Sequence, residues 1–404
     1  MPTRPTARER AMRVREVILR AMSGELNWTQ AAEILGTSDR SMRRWRARWE
    51  QHGYDGLLDR RRNTPSPRRV PVRVLEGMLR LYRTRYRGFN VRHFHSLLKR
   101  KHAFPYSYTL VRVALQEAGL VKKKRPRGVH RLRREPRACF GELLHLDGSE
   151  HAWLARCPER KPCLIVVLDD ATKRLLYAQL VEHECGHAVM TALHAVFSTH
   201  GVPMALYTDR AGWAARTPKK DEPVDKDHPT QVGRALRRLG IEHILGYSPQ
   251  ARGRSERANG TLQGRLVNEL RVAGIRSLTA ANRYLRERFI PAYNEEFSIR
   301  PRDSASAFVP LGGADLDQIL CHEETRTVSR DNTVTLEGVR LQIAKQPGRV
   351  TCARRQVTVR RHLDGSHSVW LFERSLGRFD PQGKALTAVT TSRAGRKVLP
   401  QAAA

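Results

Sequence analysis

Long apolar runs are missing from this 404-residue sequence. None approaches the ~18 residues of a membrane-spanning helix, which excludes a helical membrane protein. Cysteine is scarce too: the six (Cys139, Cys157, Cys163, Cys185, Cys321, Cys352) include no CxxC pair. Neither a disulfide scaffold nor a cysteine-built zinc fold is expected. The opening residues MPTRPTARERAMR hold no apolar stretch of the secretory kind. These absences point to a soluble chain with free thiols in a reducing compartment, the cytoplasm. Acidic residues are the other shortage, 40 against 74 Lys and Arg, for a formal net charge of +34. Cations spread along the whole chain suit a polyanion, and nucleic acid is the expected partner. No lipidation motif or basic amphipathic helix speaks for a membrane.

What is present reads as several domains. Residues 8–62 have helical spacing. In NWTQAAEILGTSDRSMRRWRARWEQHG, Trp28, Ala31, Ala32 and Leu35 keep one apolar stripe, and Gly36 stops it. Thr37 or Ser38 then caps a second helix. That helix keeps Met42, Trp45 and Trp49 on one face, while Arg40, Arg43, Arg44, Arg46 and Arg48 lie elsewhere. Two helices on a short turn, the second basic, predict a helix-turn-helix that contacts DNA. After a Pro-punctuated basic link, residues 72–121 repeat the pattern, with Val91, Phe94, Leu97 and Leu98 followed by Leu110, Val113 and Leu115. A second helix-turn-helix on a tether would let the chain read an extended site. Residues 122–137, KKKRPRGVHRLRREPR, cannot bury a core. They read as a linker lying on phosphate, with Lys122, Lys123 and Lys124 as DNA contacts.

From 138 to about 310 strand-like and helix-like runs alternate, predicting an α/β domain. Residues 325–385 alternate apolar and polar residues, with DGSHS as a hairpin turn. They predict a small all-β module, and 386–404 read as a tail.

Three carboxylates in the α/β region stand where packing does not ask for them. Asp147 ends LLHLDG, where alternation puts Leu144 and Leu146 on one face and His145 and Asp147 on the other. Asp209 ends the short strand ALYTD, and Glu256 opens the helix SERANGTLQGRLVNEL. Two strand ends and a helix start can converge at one sheet edge. Their mutual repulsion is relieved by hard cations with oxygen ligands. Two Mg²⁺ ions, with Mn²⁺ as a substitute, would serve phosphodiester chemistry there. Asp169 and Asp170 fit a hairpin turn instead. HECGH (183–187) matches the HExxH zinc-protease pattern, but that reading needs one helix through His183 and His187, and Gly186 opposes it.

The blocks HLDGS, YTDRAGW and SPQARGRSERANGTLQ resemble the DDE motifs of the retroviral-integrase-like transposases, most closely insertion-sequence transposases of the ISNCY type. The resemblance spans most of the chain. It implies an RNase H-like catalytic core at 138–310, helix-turn-helix units before it and a C-terminal β-barrel after it. Asp147, Asp209 and Glu256 would be the metal-binding catalytic triad. The implied partners are double-stranded DNA at the element's terminal inverted repeats and at the target, handled by a homodimer or larger synaptic assembly on the bacterial nucleoid. Arg252, Arg254 and Arg257 would line the DNA path, and Asn259 would support the site. Two departures stand out. Between Asp209 and Glu256 lie 46 residues, more than in many members, with the excess in the polar loop RTPKKDEPVDKDHPT. Many members also carry Lys or Arg two turns after the glutamate, where this chain has Gln263, with Arg265 close by. A catalytically dead DNA-binding regulator of the same descent is the alternative.

Overall fold

The computed structural model describes residues 7–58, 70–123, 135–155, 157, 159, 161–216, 228–246, 255–348 and 350–386. Lys124, Arg252, Arg254, most of the 122–137 linker and nearly all of the 386–404 tail lie outside the described residues. The chain forms two compact units that divide after Arg80.

The first unit is helical: α1 (Ala7–Met22), α2 (Trp28–Ile34), α3 (Asp39–His52) and a 3-10 turn, Gly53–Leu57. Asn27 begins α2 with a reciprocal cap, its Oδ1 taking the Gln30 N–H at 2.8 Å while Gln30 Oε1 takes the Asn27 N–H at 3.0 Å. Gly36 ends α2 at φ +58°, and Ser38 caps α3 through the Ser41 N–H. Ile18, Ala31, Ala32 and Met42 are buried together, with Trp28, Trp45 and Trp49 packed around them. The apolar stripes read from the sequence therefore close a small core. Helix α4 (Val72–Thr84) leads to the second unit.

That unit starts with α5 (Val91–His102) and α6 (Tyr108–Glu117), capped by Asn90 and Ser107. Most of the basic link expected to tether this helix pair to the first lies outside the described residues. The pair belongs to the same compact unit as the α/β core, and the reason is polar. His93, fully buried, bonds Glu269 at 2.8 Å, Ser96 donates to Glu296 at 2.9 Å, and Asn90 donates to the Gly264 carbonyl at 3.3 Å.

The core sheet runs β3-β2-β1-β4-β5. Its strands are β1 (Leu143–Glu150), β2 (Cys163–Asp169), β3 (Leu175–Val181), β4 (Ala205–Thr208) and β5 (Glu242–Leu245). The first three pair antiparallel, and β4 and β5 continue parallel to β1. Strand β2 is buried on both faces. Its Cys163, Ile165 and Val167 join α7 (Gly186–His200) and α8 (Gln231–Arg238) in one core. Leu164, Val166 and Leu168 join α9 (Ser255–Val272), α10 (Leu278–Tyr284) and α11 (Ile290–Phe297) in another. This is a three-layer α/β sandwich. Asp169 and Asp170 stand at the turn after β2, where Asp169 accepts from Thr172 N (2.7 Å) and Gly141 N (3.0 Å).

A short helix, α12 (Leu316–Ile319), precedes the C-terminal module. Its strands are β6 (His322–Thr327), β7 (Thr333–Leu336), β8 (Val339–Gln342), β9 (Gln356–Arg361), β10 (His367–Leu371), β11 (Arg374–Phe379) and β12 (Ala385–Leu386). They make a sheet β12-β11-β10-β9-β6 and a separate β7-β8 ladder over one apolar core. Among the described residues no strand pairing joins the two ladders into a ring, so the module is all-β without a closed barrel. No described helix is long and apolar enough to cross a membrane.

Candidate active site

The site is set by the end of β1. Its register with β4 pairs Leu143 with Ala205 and His145 with Tyr207. Parallel strands in step bring Asp147 and Asp209 to the same edge of the sheet. Asp209 follows β4 directly, and its Oδ1 takes the Ala211 N–H at 2.9 Å, fixing the carboxylate at the start of a turn.

On the α9 face, Asn259 donates its Nδ2 to Asp147 Oδ2 at 2.9 Å, and Gln263 donates to Ser149 Oγ at 3.1 Å. A four-residue step along α9 matches a two-residue step along β1, so the helix lies along the strand that carries Asp147. Leu262, Leu266 and Leu270, all buried, hold it there. Glu256 is exposed in the first turn of α9. It lies three residues before Asn259 and so on the same helical face. Asn259 thus orients Asp147, Asp209 stands at the neighbouring strand end, and Glu256 lies one turn along the facing helix. Among the described residues, the side chains close enough to share one metal ion are instead His322, Glu324 and Glu337 of the C-terminal module.

A fourth carboxylate, missed in the sequence, lies close by. Glu184 Oε1 takes the Trp213 Nε1–H at 2.8 Å. Burial, and the charges of Asp209 and Glu150, hold this carboxyl above the usual range, against the pull of the Trp213 bond. Its sequence signal was the HExxH match. That pattern does not form a helical pair: α7 begins at Gly186 after an extended Cys185, which leaves His183 outside the helix.

The expected DNA contacts fare differently. Arg40, Arg43, Arg44, Arg46 and Arg48 are exposed on α3. Arg46 also bonds Glu50 at 2.7 Å and lies over the Trp28 ring. Lys122, Lys123 and Arg257 are exposed as well. Asn259 donates an amide N–H to Asp147. Arg265 is a correction. It is 5% exposed, bonds both Glu296 oxygens at 2.8 and 2.7 Å, and packs its guanidinium over Phe297. Its charge is paired inside the protein with Glu296.

A helical unit with an exposed basic helix precedes an α/β core with acids at the ends of neighbouring strands. Residues 15–64 match the helix-turn-helix domain family. The chain is 33% identical over 363 residues to y4bF of Sinorhizobium fredii (strain NBRC 101917 / NGR234), named a transposase, covering 88% of this chain and 78% of that one. It is 29% identical over 331 residues to the transposase for insertion sequence IS1202 of Streptococcus pneumoniae, covering 73% and 70%. Among solved structures, the HTLV-2 integrase catalytic core domain in complex with magnesium aligns at 16% identity and a TM-score of 0.27, over 36% of this chain and 85% of that one. A simian T-cell lymphotropic virus intasome aligns at 12% and 0.33, over 67% and 88%. The two structural likenesses are faint; the sequence relation is not. This chain belongs to the insertion-sequence transposase family.

Proposed function

We propose that this protein is a transposase that binds the terminal inverted repeats of its own element and cuts and rejoins DNA strands at Asp147, Asp209 and Glu256. The observation that carries the reading is the Asn259–Asp147 bond of 2.9 Å, which ties the helix bearing Glu256 to the strand end beside Asp209. In an RNase H-like core, these acids would hold divalent cations, two Mg²⁺ in the full form of the reading with Mn²⁺ as a substitute. Bound there, the cations would offset phosphate charge and activate the attacking oxygen. The chain's own residues do the rest. Asn259 keeps Asp147 turned to the α9 face, the Asp209 turn fixes the second acid, and Arg257 with Arg252 and Arg254 steers the backbone in. Water opens the phosphodiester at the element end, and the freed 3′-hydroxyl attacks a target phosphodiester in line, expelling the target strand's 3′-oxygen, which leaves as a hydroxyl. Positioning and charge neutralisation carry both steps without a covalent enzyme intermediate. The exposed α3 arginines would supply phosphate contacts and a few base contacts on the repeats. Two ends joined in one event require a dimer or larger assembly, and the C-terminal module, barrel-like in this reading, would bind DNA or bridge subunits.

The test is nicking of a labelled DNA carrying the element end, by purified protein in MgCl₂ and in chelator. Cleavage at the end in Mg²⁺ only is expected. Binding without cleavage in either condition would make the chain a DNA-binding regulator instead.

A further inference from the structure

We infer that Glu184 is a positioning residue for the DNA-cleaving centre, bracing the ends of β1 and β4 against each other from the sheet face opposite α9. The inference rests on the triad reading above.

The brace is visible in three places. Along β1, Leu144 and Leu146 face the α7 core, so the next residue on that face is Gly148, directly after Asp147. A Cβ on Gly148 would lie 2.4 Å from Glu184 Oε2 and 2.7 Å from Oε1. The carboxylate of Glu184 thus fills the space a side chain would take. Its Oε1 also accepts the Trp213 Nε1–H at 2.8 Å. Trp213 closes the short loop that begins at Asp209, where Ala211 N–H holds the Asp209 carboxylate at 2.9 Å. Gly148, Glu184 and Trp213 therefore link the backbone beside one acid of the triad to the loop that carries another. The link spans three sequence blocks that no local pattern connects.

The chemistry of the brace is costly for packing alone. A half-buried carboxylate with like charges near it is disfavoured, and Asp209 and Glu150 both act on Glu184 in that sense. Glutamine would fill the same space and accept the same indole N–H without the repulsion. Such disfavoured groups gather at functional sites. Here the indole bond fixes the path of the loop that carries Asp209.

Full-length Glu184→Gln, Glu184→Ala and Trp213→Phe proteins test this, with Asp209→Asn as the control. Four quantities are read: melting temperature without metal, the rise in melting temperature on adding MgCl₂ alone, affinity for end DNA, and cleavage against Mg²⁺ concentration. Glu184→Gln is expected to melt no lower than wild type without metal and to bind ends normally. Its cleavage and Mg²⁺ requirement should stay near wild type, because the amide keeps both contacts of the brace. Trp213→Phe removes the indole bond, and its cleavage should fall about 10-fold, the lower end of the usual cost of losing a group that orients a metal site. It should need more Mg²⁺ for half-maximal rate and gain less stability from MgCl₂, and folded Glu184→Ala should move the same way by more. If Glu184→Ala does not fold, the other two variants still decide. Wild-type cleavage and Mg²⁺ dependence in folded Trp213→Phe would overturn the inference, as would loss of cleavage in folded Glu184→Gln. So would a lower melting temperature of Trp213→Phe with unchanged Mg²⁺ dependence, the mark of a packing role. If Asp209→Asn is inert while Trp213→Phe behaves as wild type, only this inference fails. If Asp209→Asn cleaves normally, the triad reading itself fails.

Discussion

The two helix pairs near the N-terminus look alike in sequence and are built for different work. In α2–α3, an Asn cap and a Ser cap start helices whose apolar stripes close on their own small core, leaving five arginines of α3 exposed. In α5–α6, an Asn cap and a Ser cap again start the helices. Here, however, the outer face of α5 carries His93 and Ser96, whose partners lie in α9 and α11. One pair presents charge to solvent; the other uses polar groups as a weld to the helix that carries Glu256. The same helix-turn-helix pattern thus yields an exposed basic helix in one case and a pair bonded to α9 and α11 in the other.

The largest effect expected from breaking this contrast comes from His93→Ala. Glu269 accepts from His93 and from Tyr284 (2.7 Å) in a buried setting. Removing His93 strands part of that charge and should cost about 3 kcal/mol of stability, read by denaturant unfolding. Arg265→Ala should cost about 1 to 2 kcal/mol by removing both bonds from the half-buried Glu296 carboxylate. It should leave end-DNA affinity unchanged when assayed well below the melting temperature; a selective loss of affinity would return Arg265 to the DNA path.

Acid should act on the same weld. Burial holds His93 below the usual histidine range although Glu269 pulls the other way. Glu269 sits below its usual range because bonds from His93 and Tyr284 outweigh burial. Both groups resist a proton that the unfolded chain accepts. Their stabilisation is present above about pH 6.5 and is lost as pH falls. Unfolding from pH 7.5 down to 5 should show this fall, and His93→Ala should flatten it near neutrality.

In the first pair the effects should lie in binding. Arg43→Ala or Arg44→Ala should weaken end binding by about 1 kcal/mol and lower the salt slope by about 1, with melting unchanged. Smallest of all, Ser38→Ala should cost about 1 kcal/mol or less through the lost α3 cap.

Much of this was legible in the sequence, because local rules write it. The α3 cap, the α2–α3 stripes, the α/β alternation and the strand-end acids all follow from spacing along one element. The weld was not legible: His93 and Glu269 are 176 residues apart, and a buried polar pair has no periodic signature. Arg265 was misread for a related reason. It flanks the Leu262–Leu266–Leu270 stripe, and only the partner helix decides whether that flank meets water or Glu296. Glu184 lay inside a protease-like string whose spacing was coincidental, and its true partners, Gly148 and Trp213, stand in other blocks.

The central claim is that the acids at the β1 and β4 ends cut DNA. Cleavage of a labelled element end by wild type and by Asp209→Asn, at protein concentrations giving equal binding, tests it most directly. The account predicts that Asp209→Asn binds the end and does not cut it. Cleavage by Asp209→Asn at the wild-type rate would contradict it.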